Sequence, residues 1–107
     1  MINARQLFFL PKQLQHAYKH AYCFGITGPA NKLTLDAFRL AVIRHVQSPD
    51  TQFVQGSFRG LPVTHFVNMT TGLNVMRDSS GNFLSVWVLS SKQKIHMLNG
   101  GKLGGGI

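Results

Sequence analysis

The sequence predicts an α+β domain in which two N-terminal helices pack on a C-terminal antiparallel β-sheet of four to five strands. Between positions 35 and 46, apolar residues recur at spacings of three and four, which is the period of a helix with one buried face. After Pro49 the pattern changes to short runs rich in β-branched and aromatic residues, separated by turn residues. Helices followed by strands, rather than alternating with them, indicate the α+β class.

The first predicted helix runs from Pro11 to about Tyr22. Proline suits the first turn of a helix because its φ is already helical and its missing N–H has no partner to lose there. Gly25 is a suitable stop signal. Residues 1–10 are predicted to form either a short strand or an apolar arm that packs on the body of the domain.

The second predicted helix follows a loop from Ile26 to Leu33, which contains Gly28-Pro29. We expect Thr34 to cap it, with Asp36 placed favourably near its N-terminus. The helix should end at Ser48-Pro49. Its buried face is predicted to carry Leu35, Phe38, Ala41 or Val42, and Val46.

The strands are predicted from runs bounded by glycine, asparagine, aspartate and serine. They are Gln52 to Phe58, Pro62 to Asn68, Leu73 to Arg77 and Phe83 to Leu89, with a fifth candidate at Lys94 to Leu98. The glycine-rich tail, residues 99–107, is predicted to be mobile. Together the elements predict a single domain that spans residues 1–107.

The strand from Phe83 to Leu89 separates two kinds of side chain. Period-two geometry sends Leu84, Val86 and Val88 to one face, which we expect to join the core. The other face then carries Ser85 and Trp87 together. A hydroxyl beside an indole suits contact with a phosphate and a stacked base.

The charge balance points to an anionic partner. The chain has 11 Lys+Arg against 3 Asp+Glu, for a formal net charge of +8 at pH 7. Such an excess indicates a polyanion such as RNA, or an acidic protein. The lone cysteine, Cys23, excludes an internal disulfide and zinc-finger spacing. Leu7-Phe8-Phe9-Leu10 is too short for a membrane span or a signal-peptide core, so we expect a soluble chain without its own targeting segment.

The first predicted helix carries three titratable side chains close together, namely His16, Lys19 and His20. The spacing of the two histidines would suit a metal pair, but Lys19 between them would repel a cation and carboxylate ligands are scarce, which favours chemistry without a metal or cofactor. RNA carries its own nucleophile, the 2′-OH, so an enzyme needs a base, a cation and an acid. His20 can act as base or acid and Lys19 can supply the charge. Alternatively, His20 merely caps the helix C-terminus.

In their order and spacing, several short motifs resemble the tRNase toxin domains of the colicin D type and of contact-dependent inhibition and polymorphic toxin systems. The resemblance runs from Leu14 to about Ser90. Its motifs are Tyr18-Lys19-His20-Ala21, Phe24-Gly25-Ile26, the helix from Leu35 to His45, Gly56-Ser57-Phe58-Arg59, Asn68 with Thr71 and Val75, and Phe83-Leu84-Ser85-Val86-Trp87. Where the colicin D pattern has a further lysine, this chain has Ala17, so we expect that phosphate contact either to be lost or to move to His16 or Arg59.

This resemblance implies a metal-independent endoribonuclease that cuts tRNA in the anticodon loop and leaves a 2′,3′-cyclic phosphate and a 5′-OH. The catalytic residues it implies are His20, Lys19, Ser85 and Trp87, with Arg59, Tyr18 and His16 as substrate contacts. It also implies a monomer that is delivered from a producing bacterium, acts in the target-cell cytoplasm and is neutralised by an acidic immunity protein.

Two questions stay open from the sequence. The second proton-transfer group could be His16, His65, Ser85 or water, because one histidine cannot donate and accept a proton in the same step. The function itself has two alternatives, namely a ribosome-dependent mRNA interferase and a non-catalytic RNA-binding module that uses the basic surface and Trp87.

Overall fold

The computed structural model describes residues 5–104 and has the predicted α+β class, with two α-helices and a 3₁₀ helix before the first strand and a third α-helix between the last two strands. None of the helices in this range is long and apolar enough to cross a membrane. The elements in order are α1 (Pro11–Ala17), a 3₁₀ helix (Tyr18–Phe24), α2 (Lys32–Gln47), β1 (Gln52–Phe58), β2 (Leu61–Val67), β3 (Leu73–Asp78), β4 (Phe83–Val88), α3 (Ser91–Leu98) and β5 (Lys102–Leu103).

The sheet has the strand order β4-β3-β2-β1-β5. Strands β1 to β4 form the predicted antiparallel meander, and β5 adds to β1 in parallel. The sheet is therefore mixed. Consecutive strands joined by short turns pair side by side, which is why their order along the chain sets most of the topology.

The predicted fifth strand at Lys94 to Leu98 is wrong, because this segment lies in α3. The Ser90 hydroxyl accepts a hydrogen bond from the backbone N–H of Gln93 at 3.1 Å, and the Gln93 side chain accepts one from the N–H of Ser90 at 3.0 Å. This reciprocal capping box satisfies two donors at the helix start and favours the helix over a strand.

The predicted mobile tail is wrong for its described part, since Lys102 and Leu103 form β5. Gly56 makes this pairing possible, because a Cβ at that position would overlap the carbonyl group of Gly101. The N–H of Ser57 donates to the Gly101 carbonyl at 3.0 Å and fixes the approach. Residues 105–107 lie outside the described residues.

The first predicted helix changes type at Tyr18, where α1 tightens into the 3₁₀ helix, and it ends at the expected glycine. Gly25 has a φ of 75°, the left-handed conformation in which a glycine terminates a helix without strain. For α2, the predicted cap at Thr34 is wrong. Asn31 is the N-cap, and Thr34 is the third residue of its capping box, with an Asn31 Oδ1 to Thr34 N distance of 3.0 Å.

Each face of the sheet carries its own core. The first core lies under α1 and α2 and contains Leu14, Ala17, Ala21, Phe38, Val42, Val46, Phe66, Val75, Phe83 and Val86. The second core lies on the opposite face and contains Val63, Val67, Met76, Trp87, Leu89, Met97 and Leu103. The rings of Phe58 and Trp87 are 6.0 Å apart although β1 and β4 are not neighbours, so the sheet curls around the second core.

The described part of the predicted apolar arm, residues 5–10, contacts the start of β4. The N–H of Phe8 donates to the carbonyl of Gly81 at 2.8 Å, and the N–H of Phe83 donates to the carbonyl of Phe8 at 2.9 Å. The Phe9 ring packs 5.3 Å from that of Phe83. Residues 1–4 of the arm lie outside the described residues.

Candidate active site

A bulge in β4 sets the side chains of this edge strand. Met76 pairs with Ser85 and Arg77 pairs with Phe83, so Leu84 is an extra residue. Phe83 therefore joins the first core, whereas Leu84 packs against the second. The predicted common core face of Leu84, Val86 and Val88 is thus wrong at Leu84, and Val88 is 53% exposed at the strand end.

Ser85 and Trp87 do share one face of β4, as predicted. They pair with Met76 and Asn74 of β3 respectively, which places both on the side of the second core. The bulge leaves this relation unchanged because it lies before Ser85. The alternation of side chains therefore holds for the two residues on which the sequence argument depended.

The α1 and 3₁₀ segment lies along β4. The Gln13 side-chain amide donates to the carbonyl of Leu84, the bulged residue, at 2.6 Å. Ala17 and Ala21, each 1% exposed, pack into the first core. Since these two alanines face inward, the segment turns His16 and Lys19 outward and leaves His20 half-buried between them and β4.

Arg59 reaches the same region from the turn between β1 and β2. Arg59 and Gly60 have φ values of 52° and 81°, as both residues of a two-residue type I′ hairpin turn require. A left-handed arginine is uncommon and costs conformational energy. Here its N–H donates to the Leu103 carbonyl at 2.8 Å, and its guanidinium lies 5.1 Å from the centre of the Phe58 ring.

These three segments enclose a cleft of about 420 Å³, which we call the active-site cleft. It is lined by Gln13, His16, Lys19, His20, Phe58, Arg59, Leu61, Met76, Leu84 and Ser85. The structure therefore brings together five predicted site residues from three segments that are distant in sequence: His16, Lys19, His20, Arg59 and Ser85. Among residues 5–104, no carboxylate lines this cleft.

The polar groups in the active-site cleft are available to a ligand. Within residues 5–104, the side chains of Lys19, His20 and Ser85 make no hydrogen bond to the protein. Ser85 is half-buried, and its place on β4 sets the direction in which its side chain leaves the strand. An ammonium, an imidazole and a hydroxyl without protein partners are suited to the oxygens of a phosphodiester.

Burial of the His20 ring lowers its pKa below the ordinary value of 6.5, and the positive charges of Lys19 and His16 lower this pKa further. Both causes disfavour the imidazolium. At neutral pH the ring is therefore predominantly neutral. A neutral imidazole can take a proton from a hydroxyl, which favours the role of general base.

Trp87 lies beside the active-site cleft rather than in it. Its side chain is 5% exposed within the second core, and its Nε1–H points to Gln93 Oε1 at 3.4 Å. Stacking on a base needs an open ring face. The position of Trp87 fits a support for the wall behind Ser85 better than a stacking platform.

Tyr18, the predicted substrate contact, lies on the other side of the helix. Its hydroxyl donates to the Gly28 carbonyl at 3.0 Å, and its ring packs edge-on against Phe38 at 5.9 Å. It follows Leu14 by four residues and so lies on the stripe that faces α2. This side chain therefore packs against the first core and does not line the active-site cleft.

His65 cannot be the second proton-transfer group. It is fully buried, its Nε2–H donates to the Gly101 carbonyl at 2.8 Å, and its Nδ1 accepts from the Asn74 side-chain amide at 3.2 Å. Burial lowers the pKa of His65, although the carbonyl contact opposes the shift. The neutral ring ties β5 to the sheet, and His16, Ser85 and water remain candidates for the second role.

The donor set for a metal ion is small. Among residues 5–104, no group of three His, Cys, Asp or Glu side chains lies close enough together to hold one. His16 and His20 share the active-site cleft, but Lys19 lines it too.

A second cleft, of about 700 Å³, adjoins His20. It is lined by His20, Tyr22, Trp87, Val88, Ser90, Lys92, Gln93, His96, Leu103 and Gly104. Sequence reasoning missed the residues of α3 here because it assigned Lys94 to Leu98 to a strand. The pattern of Ser90 followed three residues later by Gln93 was the signal that could have revealed the helix.

Comparison with known proteins gives consistent matches. The family model described as Colicin D matches residues 13–97. Colicin-D from Escherichia coli is 38% identical over 86 residues, which cover 77% of this chain and 12% of that protein. The chain thus corresponds to a small part of that much longer relative. A solved structure described as a ribonuclease from Escherichia coli complexed with its inhibitor protein is 33% identical, with a TM-score of 0.72, and the match covers 85% of this chain and 100% of that one.

Proposed function

The chain belongs to the colicin D family, and from this premise we propose that it is a bacterial toxin ribonuclease that cleaves tRNA in the anticodon loop without a metal ion. The reaction is attack of the ribose 2′-OH on the adjacent phosphorus. The bond from phosphorus to the 5′-oxygen breaks, and the products end in a 2′,3′-cyclic phosphate and a 5′-OH.

The observation that carries this proposal is the convergence of side chains in the active-site cleft. The 3₁₀ helix contributes Lys19 and His20, the β1–β2 turn contributes Arg59, and β4 contributes Ser85. A base, two cations and a hydroxyl donor meet where no carboxylate of residues 5–104 would repel a phosphate. These groups can supply the base and the charge stabilisation that phosphodiester cleavage by an internal nucleophile needs.

Each residue then has a role in the reaction. Neutral His20 accepts the proton of the 2′-OH. Lys19 and Arg59 stabilise the charge on the non-bridging oxygens, and the Ser85 hydroxyl donates a hydrogen bond to one of them. The leaving 5′-oxygen receives its proton from His16, Ser85 or water. Trp87 holds β4 and α3 together behind Ser85.

The partners follow from charge and from the relatives. The net charge of +8 favours tRNA as substrate and an acidic immunity protein as inhibitor. The similar ribonuclease was solved with its inhibitor protein, which supports such a partner. In this proposal the domain is delivered from a producing bacterium and acts as a monomer in the target-cell cytoplasm.

The test is cleavage of unfractionated tRNA by the purified chain. Wild type should produce discrete fragments with 2′,3′-cyclic phosphate ends, with or without EDTA. His20→Ala should produce none while its circular dichroism spectrum stays native. Gln15→Ala is the matched control, because this exposed residue of α1 lines neither cleft.

Each alternative gives a different result in this assay. Cleavage by His20→Ala at the wild-type rate would contradict the assigned base, and loss of activity in EDTA would contradict metal independence. Cleavage of mRNA only when ribosomes are present would identify an interferase. Binding of tRNA without any fragments would identify an RNA-binding module.

A further inference from the structure

His20 lies between two clefts. It lines the active-site cleft with Lys19 and Ser85, and it also lines the second cleft with Tyr22 and Trp87. An RNA strand whose scissile phosphate contacts His20 must continue beyond that phosphate in both directions. The second cleft is the larger of the two, and its volume of about 700 Å³ falls within the range of small-molecule sites.

The side chains of the second cleft suit a nucleotide. Lys92 and His96 are four residues apart on α3, so they lie on the same side of this helix, and both are exposed. Tyr22, at 67% exposure, presents an aromatic ring that is not part of either core. None of the three acidic residues of the chain lines this cleft.

The walls of the second cleft are held in place by the fold. Trp87 is buried behind it and points its indole N–H to Gln93 of α3. On the opposite wall, Leu103 is buried and its carbonyl accepts the N–H of Arg59 at 2.8 Å. The cleft therefore has a fixed base and an exposed aromatic and cationic rim, the combination that single-stranded RNA sites use.

We propose that the second cleft binds the RNA segment adjoining the scissile phosphate, with Tyr22 stacking on a base and Lys92 and His96 contacting a phosphate. The proposal rests on the RNA substrate of the proposed function. It assigns binding, not chemistry, to these residues, because the groups that act on the phosphodiester lie in the active-site cleft. Their loss should therefore raise KM for tRNA more than it lowers kcat.

The experiment measures kcat and KM for cleavage of unfractionated tRNA. Tyr22→Ala should raise KM about tenfold, which lies within the range that base stacking on one aromatic residue commonly contributes to affinity. Tyr22→Phe keeps the ring and should restore KM to near the wild-type value. The double variant Lys92→Ala/His96→Ala should raise KM and reduce its salt dependence by about one released ion per lost phosphate contact.

The control variant is Lys32→Ala, which removes an exposed lysine at the start of α2 that lines neither cleft. It should leave KM within about twofold of wild type. Circular dichroism establishes that each variant is folded. Because Tyr22, Lys92 and His96 are exposed, the protein should stay folded when they are replaced.

The outcomes separate this inference from the proposed function. If wild type cleaves tRNA but Tyr22→Ala and the double variant keep its KM, the subsite is overturned and the ribonuclease stands. If wild type cleaves nothing, the ribonuclease fails, and filter binding of the same tRNA decides the subsite. An unchanged Kd in Tyr22→Ala then overturns it, whereas a Kd about tenfold weaker with recovery in Tyr22→Phe supports it.

Discussion

On one side of the sheet, α1 and α2 cover a core whose largest fully buried side chains are Phe38, Phe66 and Phe83. On the other side, α3 and the two residues of β5 cover a core that surrounds the buried pair His65 and Asn74. The first side is dominated by aromatic rings that meet edge to face or tilted. Buried polar side chains occur on both sides, since Arg77 lies against the Phe66 ring of the first core, but the two clefts are lined by residues of the second core.

This difference indicates that the first side mainly stabilises the fold and the second side mainly forms the clefts. Within residues 5–104, the Oδ1 atom of buried Asn74 has no hydrogen-bond partner, and such an atom costs about 1–3 kcal/mol. Side chains that line a cleft also have fewer packing contacts than side chains in a closed core. The well-packed first side must offset these costs, so changes on the two sides should affect different properties.

The largest expected effect is on stability, from Phe38→Ala on the first side. This fully buried ring contacts Tyr18, Phe24 and Phe83, and its removal should lower the free energy of unfolding by about 3–5 kcal/mol. Urea unfolding measures the change. Leu40→Ala, an exposed position on α2, should stay within about 1 kcal/mol of wild type. Equal losses in both variants would contradict the assignment of stability to this core.

Adjacent residues on β4 provide a sharper contrast. Ser85→Ala, on the second side, should lower kcat/KM for tRNA about 100-fold with little change in stability, because it removes the hydroxyl that we propose as a hydrogen-bond donor to the phosphate. Val86→Ala, on the first side, should instead lower the free energy of unfolding by about 2 kcal/mol and leave kcat/KM of the folded protein near wild type. If both substitutions changed kcat/KM and the free energy of unfolding to the same extent, the contrast between the two sides would be wrong.

Gly56→Ala should disturb the second side alone. The added Cβ would overlap the Gly101 carbonyl group, so β5 must move away from β1. We expect a loss of about 1–3 kcal/mol in unfolding free energy. KM for tRNA should also rise, because Leu103 and Gly104 line the second cleft. Gly104→Ala is the stability control, since a Cβ there has no atom within 4 Å. Wild-type unfolding of Gly56→Ala would show that the close approach is unnecessary.

The smallest expected effect is a displacement along the pH axis. Because burial, Lys19 and His16 lower the pKa of His20, the acidic limb of kcat/KM against pH should lie below 6.5 in wild type. Lys19→Gln removes a positive charge, makes protonation of His20 easier and should move this limb to higher pH. Lys12→Gln, on the exposed surface of α1, should leave the limb in place. If the limb stays in place in Lys19→Gln, the charge of Lys19 does not contribute to the lowered pKa of His20.

Much of the fold could be predicted because its signals are local. Period-two runs between turn residues predicted β1 with its observed bounds, Gln52–Phe58. The same pattern predicted the other three strands of the meander to within one residue at each end. The errors have two origins. The assignment of part of α3 to a strand overlooked a local signal, the capping box of Ser90 and Gln93, whereas β5 depends on a long-range contact. The two residues of β5 are too few to show a pattern, and they form a strand only because Gly56 admits Gly101.

The site was predictable in its chemistry more than in its shape. Lys19 beside His20 and the shared face of Ser85 and Trp87 follow from neighbours a few residues apart, whose relative directions the local backbone sets. The burial of Trp87 and the contact of Tyr18 with Phe38 of α2 do not follow from sequence neighbours. Each depends on which distant element packs against the side chain.

The sequence by itself determined the class of fold, the order of the meander and a basic, carboxylate-poor set of reactive groups, since composition and periodicity need no distant contact. Only the tertiary structure decided that these groups meet in one cleft and that His65 is buried. The burial of His65 depends on the segment before β5, whose Gly101 carbonyl accepts the hydrogen bond of the ring. The cleft depends on the sheet curling until the edge of β4 and the β1–β2 turn approach across the second core. That closure also places α3 against His20 and forms the second cleft, which no local pattern could indicate.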